Sequence, residues 1–405
     1  MRPTASLYAP WRLGALGFLA VLVLVPVTLP VPVLRGLVQE RFDVSELLTS
    51  LFMSINMAGA VLAAPLAGAL ADRIGRRPQL IVAALLVDAV CFLGLTRDVP
   101  FAGFMAIRFF EGCAHIFALS LILSLAAGSR GPEHRGRAMG IAGGGLLLGV
   151  ALGAPIGGML GADAPERTLY GAAAILVLAA GLAAAVLREI DSPAESRPSL
   201  GSIVTTVRTH PRLLAPLTFA FADRFTVGFY TTTFSLYLTN IHQLAPQRVG
   251  LLIAVFMLPF ALLSVPFGIL AERASLVLLL CGGSLLYGIG TASLVYWPAE
   301  ALPFLMFAIG TTAAVMFVPS LLLTTEFAPD EIRSTALGAF NAAGSLGFII
   351  GPLTGGLVSQ AVAASSGWEA GYAAAFGVAG GSEILLAALA WPVLRRVQRE
   401  VRRGS

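Results

Sequence analysis

Seven ionisable side chains stand inside stretches otherwise apolar enough to be buried in lipid: Asp88, Arg108, Glu111, His115, Asp223, Arg224 and Glu383. A charge in hydrocarbon is costly, so each needs a partner or a task. Arg108, Glu111 and His115 follow one another at i, i+3 and i+7, which puts them on one face of a helix. The four acids outnumber the two arginines, so with His115 neutral the set carries surplus negative charge. In a low dielectric that surplus must take up a proton or a cation. Proton transfer is the chemistry these residue types can do here. Asp223 lies about 11 residues, or ~17 Å, into its span and so near mid-membrane, which makes it the leading protonatable carboxylate. Glu111, Arg108, Asp88 and His115 are the other coupling candidates, and Glu383 reads as structural. The competing reading is static pairing: Arg108 with Glu111, and Asp223 with Arg108 or Arg224.

Long apolar elements must position these groups. Hydrophobic residues make up 57% of the 405 and charged residues 12%, which excludes an ordinary soluble domain. A span needs ~20 apolar residues, and the chain has room for about twelve, near 13–34, 46–71, 78–97, 100–128, 134–161, 168–188, 212–240, 246–271, 274–296, 299–328, 331–361 and 369–394. The first is too long for a signal-peptide core and lacks a small-residue cleavage site, so it is expected to be retained. Pro26, Pro30 and Pro32 predict that this span is a broken helix.

All 26 basic residues are arginine. They crowd the two termini and alternate loops; Arg35, Arg41, Arg97, Arg167 and Arg248 alone fall on the opposite side. This positive-inside asymmetry puts both termini in the cytoplasm. The net charge of +4 therefore reflects topology rather than nucleic-acid binding. The tail RRVQREVRR is expected to lie against anionic lipid. Cys91, Cys113 and Cys281 are scattered through the spans, with no disulfide framework and no metal-site spacing. No nucleophile elbow, phosphate loop or zinc pattern is present, so no enzyme, cofactor or metal is expected.

Two patterns organise the spans. GALADRIGRR at 68–77 is a compact charged knot between apolar runs, as a short cytoplasmic turn would be. The run GIAGGGLLLGVALGAPIGG from Gly140 returns as GAFNAAGSLGFIIGPLTGG from Gly338. Gly149, Gly153, Gly157 and Gly158 thereby map onto Gly347, Gly351, Gly355 and Gly356 at an offset of 198 residues. A worn copy of the knot recurs at Gly268, Glu272 and Arg273. The chain is thus two homologous six-helix halves, residues 1–188 and 212–405, joined by a cytoplasmic linker, 189–211. Glycines at this spacing let membrane helices approach closely, and Pro155 and Pro352 should kink theirs.

Gly68, Asp72, Arg73, Gly75, Arg76 and Arg77 fit G-x-x-x-D-R-x-G-R-[RK], and in this the chain resembles the major facilitator superfamily. The resemblance implies an all-α membrane protein of twelve transmembrane helices in two pseudo-symmetric halves. It also implies a cytoplasmic gate braced by Asp72. The second glycine run fits G-x8-G-x3-G-P-x2-G-G, which in that family marks antiporters. RFFEG fits its fourth-helix pattern R-x-x-x-G through Arg108 and Gly112, whose arginine is linked with proton transfer. The first span lacks the acid that some drug–proton antiporters carry there. Spans 1, 4, 7 and 10 line the cavity in that fold. Substrate-cavity candidates here are Asn56, Phe225, Phe229, Tyr230, Phe256, Phe317 and Asn341, an apolar set that suits an amphipathic compound.

The expectation is a monomeric secondary transporter of the bacterial cytoplasmic membrane, working by alternating access. It would resemble the drug/proton antiporter-type exporters, coupling proton entry to efflux of a small hydrophobic or amphipathic compound. Its partners would be that substrate, protons and membrane lipid. Metabolite uptake or lipid movement on the same scaffold is the rival, and a membrane sensor or scaffold without flux is the alternative from another class.

Overall fold

The computed structural model describes residues 10–74, 76–127, 132–187 and 200–404. Among them there is no strand. In lipid every backbone amide must be satisfied within its own segment, and apolar runs of this length meet that demand as helices. The elements are α1 (Pro10–Thr28), α2 (Glu46–Ile74), α3 (Arg77–Leu95), α4 (Phe101–Ala127), α5 (Pro132–Leu160), α6 (Arg167–Val186) and α7 (Leu200–Thr209). They continue as α8 (Leu214–Thr231), α9 (Thr233–Asn240), α10 (Pro246–Ala271), α11 (Leu276–Ser293), α12 (Leu302–Phe327), α13 (Arg333–Ser366) and α14 (Trp368–Gly404). Among the described residues, eleven helices are long and apolar enough to cross a membrane.

The remaining expected span, 212–240, is broken into α8 and α9. Thr232 leaves helical geometry at φ −132° and ψ −73°. The cause is local: the Thr231 and Thr232 hydroxyls both turn back on the Gly228 carbonyl, at 2.9 and 3.0 Å, and compete with the helical ladder. The first span is also broken, as its prolines demand. After Thr28 the chain passes through a 3-10 turn, Val31–Val33, and a π-helical stretch, Arg35–Glu40. Pro30 and Pro32 have no amide hydrogen to carry an α ladder through. Within the linker, the described residues include a full helix, α7.

Contacts divide the chain into two compact units. One comprises Met1–Val33 and Ile55–Ser196; the other comprises Leu34–Ser54 and Arg197–Ser405. Residues 34–54, though early in sequence, pack with the second.

Each unit is built on a glycine ladder. In the first, Gly145, Gly149 and Gly153 of α5 lie against the backbone of α1 at Gly17, Val21 and Val25, and Gly157 against Leu29 just past its end. A Cβ on Gly149 would stand 2.8 Å from the Leu24 Cβ, closer than packing allows. Thr28 adds a hydroxyl bond to the Val150 carbonyl at 2.8 Å. In the second unit, α13 lies on α8 in the same way, with Gly347 and Gly351 against Phe221 and Phe225 and Gly355 against Phe229 and Thr233. Lipid gives apolar helices no hydrophobic reason to associate, so backbone contact and van der Waals packing must hold them. Pro155 and Pro352 lie inside α5 and α13, neither of which ends at its proline.

Candidate functional site

The first unit assembles a charged cluster from α2, α3 and α4. Asp88, Arg108, Glu111 and His115 are all buried. Arg108 Nη1 donates to Glu111 Oε2 at 2.6 Å, and the Asn56 amide of α2 donates to the same oxygen. His115 Nδ1 lies 3.1 Å from Asp88 Oδ2. The guanidinium of Arg108 also sits 5.7 Å from the Phe92 ring centroid, a cation–π distance.

Gly112 explains why α2 reaches the cluster. A Cβ there would stand 2.7 Å from the Asn56 carbonyl carbon. At Gly59 it would stand 3.1 Å from the Phe109 carbonyl carbon. Helices α2 and α4 therefore touch backbone to backbone, and Asn56 is brought onto Glu111.

Two carboxylates and one guanidinium leave this cluster one negative charge in excess when His115 is neutral. Asp88 Oδ1 and His115 Nε2 are buried without a hydrogen-bond partner. With Nδ1–H donating to Asp88, Nε2 holds an unused lone pair that can accept a proton. Donor atoms of Asp88, Glu111 and His115 also lie within 4.8 Å of one another. That spacing could seat a metal ion, but Arg108 already supplies a cation to Glu111. A divalent ion would turn the local excess positive, which burial also opposes.

The second unit has its own buried acids. Asp223 Oδ2 contacts Arg224 Nη1 at 3.4 Å, and Asp223 Oδ1 has no hydrogen-bond partner. The Arg224 guanidinium lies over Phe317 and Phe340, 5.4 Å from each ring centroid. Glu383 of α14 accepts a 2.5 Å bond from Ser284, while its Oε1 and the nearby Tyr287 hydroxyl are unpartnered. Asp223 is offset by Arg224, whereas Glu383 is met by the Ser284 hydroxyl. Each unit thus buries more carboxylate than its arginines offset.

The aromatic candidates pack as core. Tyr230 stacks on Phe256 at 4.7 Å, and its hydroxyl bonds Thr291 at 2.8 Å. Phe225 and Phe229 pack against Ala375 and Ala379 of α14. Phe317 is half-buried against Phe260, and Asn341 is exposed. In the charged knot, Arg73 and Arg76 are exposed and Arg77 is buried at the start of α3. Gly68 lies within α2, as does the backbone of Asp72; the side chain of Asp72, and Gly75, lie outside the described residues. An apolar groove of about 760 Å³ runs between α2, α3 and α4, with Leu66, Val87 and Phe110 on its walls and Arg73 among its lining.

One buried acid has no counterpart among the sequence candidates. Glu46 opens α2 and is buried. Asn240 donates to it at 2.8 Å, Ser359 at 3.2 Å, and the Tyr372 hydroxyl completes the set. Its place at the edge of an apolar run reads as a loop-end acid, and its donors come from residues 194 to 326 positions away.

Twelve apolar segments, the glycine ladder repeated 198 residues on and buried charges in the membrane together define a membrane transport protein. The chain belongs to the Major Facilitator Superfamily, whose family model matches residues 16–238 and 217–405. An uncharacterized MFS-type transporter of Bacillus subtilis, YceJ, is 28% identical over 342 residues, covering 81% of this chain and 84% of that one. The multidrug transporter AQR1 of Candida glabrata is 28% identical over 143 residues, which is 34% of this chain and 23% of that one. Among solved structures, a bacterial homolog of the human lysosomal transporter Spinster superposes with a TM-score of 0.81 at 17% identity, covering 96% of this chain and 98% of that one. That likeness concerns the fold.

Proposed function

We propose that this chain exports a small hydrophobic or amphipathic compound across a bacterial cytoplasmic membrane by alternating access, driven by proton entry, with both termini cytoplasmic. The observation that carries the proton is the buried cluster of Asp88, Arg108, Glu111 and His115. Its excess negative charge, enclosed by protein within a membrane, is a cost that one proton removes. The unpartnered Asp88 oxygen and the free His115 nitrogen are places for that proton. Arg108 is the cation that faces Glu111 while the two stay paired, and parting them would leave the Glu111 carboxylate to take a proton. Asp223 is the second coupling candidate, in the other unit. Export is supported by the antiporter-type glycine pattern at Gly347, Gly351, Pro352, Gly355 and Gly356, and by the partial likeness to a multidrug transporter.

Reconstituted vesicles with an imposed pH gradient test the reading. Efflux of amphipathic dyes should follow the gradient and collapse with a protonophore. Asp88→Asn and Glu111→Gln should remove the gradient dependence while leaving folded protein. Full gradient-driven flux in both variants would place the coupling elsewhere.

A further inference from the structure

Residues 34–54 come from the first half of the sequence but belong to the second compact unit, and a specific set of bonds holds them there. Ser54 donates to the Ile349 carbonyl at 2.7 Å. Arg35 donates to the Thr239 carbonyl at 3.2 Å, and the Leu47 amide to Gln360 at 3.4 Å. Gly356, the last glycine of the repeated run, clears the way: a Cβ there would stand 2.7 Å from Ser50 Oγ and 2.9 Å from Leu47 Cα. At the centre of this contact is Glu46.

Three features single out Glu46. Its carboxylate is buried, yet the side chains that donate to it are neutral: Asn240 of α9, Ser359 of α13 and Tyr372 of α14. Arg35, a cation of the same stretch, is directed to Glu40 at 2.8 Å and to the Thr239 carbonyl. Hydrogen bonds from neutral donors can be exchanged for water when a site opens without leaving a second charge unpaired, as breaking a buried ion pair would. Second, Glu46 is the first residue of α2, where exposed amides favour its charge in either state. Third, the chain entering this stretch is irregular: the 3-10 turn at Val31–Val33 and the π-helical stretch from Arg35 stand at the border between the units. Such backbone marks hinges.

We propose that Glu46 is the closure residue for the stretch 34–54: its carboxylate fastens this stretch to α9, α13 and α14, and the transport cycle proceeds by releasing it. The inference rests on the alternating-access reading above, and it is independent of which carboxylate carries the proton. Glu46 acts through the position of its neighbours, so it is a positioning residue.

Spin labels on cysteines placed at the exposed positions Asp43 and Glu369 report the separation of this stretch from the start of α14. The chain without that pair serves as the labelling control. The parent should give a dominant short separation. Glu46→Gln weakens the acceptor, and Tyr372→Phe removes one donor without a charge change. Each should raise the longer-distance population about fivefold, the shift expected when one such bond is lost. Glu46→Asp, which keeps the charge, should restore part of the short population. Unchanged distributions in folded Glu46→Gln and Tyr372→Phe overturn the proposal. A purely structural role predicts a lower melting temperature with no change in distance. If the distances shift as expected but the parent shows no gradient-driven flux, the clasp stands and the proton reading falls.

Discussion

Replacing Arg108 by leucine tests the helix-4 cluster most directly. The guanidinium is fully buried, bonded to Glu111 at 2.6 Å and stacked near Phe92. Its loss leaves Glu111 with the Asn56 amide and no cation, facing Asp88. Breaking a buried pair by removing one partner costs about 3–5 kcal/mol. Set against a total stability of about 5–15 kcal/mol, that is a severe loss. Removing both members is different. Arg108→Leu combined with Glu111→Leu leaves the cluster's net charge as it was and takes the partner away together with Glu111, leaving the Asn56 amide without its acceptor, at a cost of about 1–3 kcal/mol. The double variant should therefore be about 2 kcal/mol more stable than the single one. Asp88 keeps His115 in both. The penalty of the single variant should also shrink at low pH, where protons replace the missing positive charge. Unfolding in mixed micelles, at two pH values and with folded yield measured alongside, reads all three effects. Neither variant should retain gradient-driven flux, although the double one is folded. If the single variant costs under ~1 kcal/mol, or the double is no more stable than the single, the cluster is not the paired, charge-excess site inferred from its geometry.

Asp223→Asn should abolish gradient-driven flux while substrate binding, followed by ligand-induced thermal shift, persists; equal loss of both would mark Asp223 as a packing residue. Gly112→Val should cost about 1–3 kcal/mol by forcing α2 off α4, and Gly140→Ala, with nothing within 4 Å of its Cβ, should leave the melting temperature unchanged. A periplasm-active reporter fused after Ser405 should be silent if, as proposed from the arginine asymmetry, that end is cytoplasmic; activity there would reverse the orientation. Asp72→Asn should slow flux without lowering folded yield, and unchanged flux would remove Asp72 from the gate.

The helices were legible because lipid makes a coarse demand. Any run of about 20 apolar residues must become a helix, so the span 246–271 appears with those very limits as α10. The glycine repeats were legible because closeness of backbones leaves a mark in residue size, and Gly149, Gly153 and Gly157 can be counted at every fourth position. The Arg108–Glu111 pair was legible because both lie on one helix face. Asp88 was harder: its partnership with His115 joins α3 to α4, and helical periodicity says nothing about which residue of a neighbouring helix stands opposite. Glu46 was missed for the same reason, magnified, because its donors come from three distant helices. The break at Thr232 had a local sign, three consecutive threonines, but apolar runs on either side masked it as one span.

That break has a mechanical meaning for the second unit. A continuous helix transmits torque along its length, since bending it anywhere strips a backbone hydrogen bond. At Thr231 and Thr232 the Gly228 carbonyl already has hydroxyl partners, so this point can flex with little further loss. Below it, α8 is bolted to α13 along the glycine ladder. Above it, the two turns of α9 end in Asn240, the donor to Glu46. The seventh span is thus a post carrying a short arm, and it is the arm, not the post, that presents the Asn240 donor to Glu46.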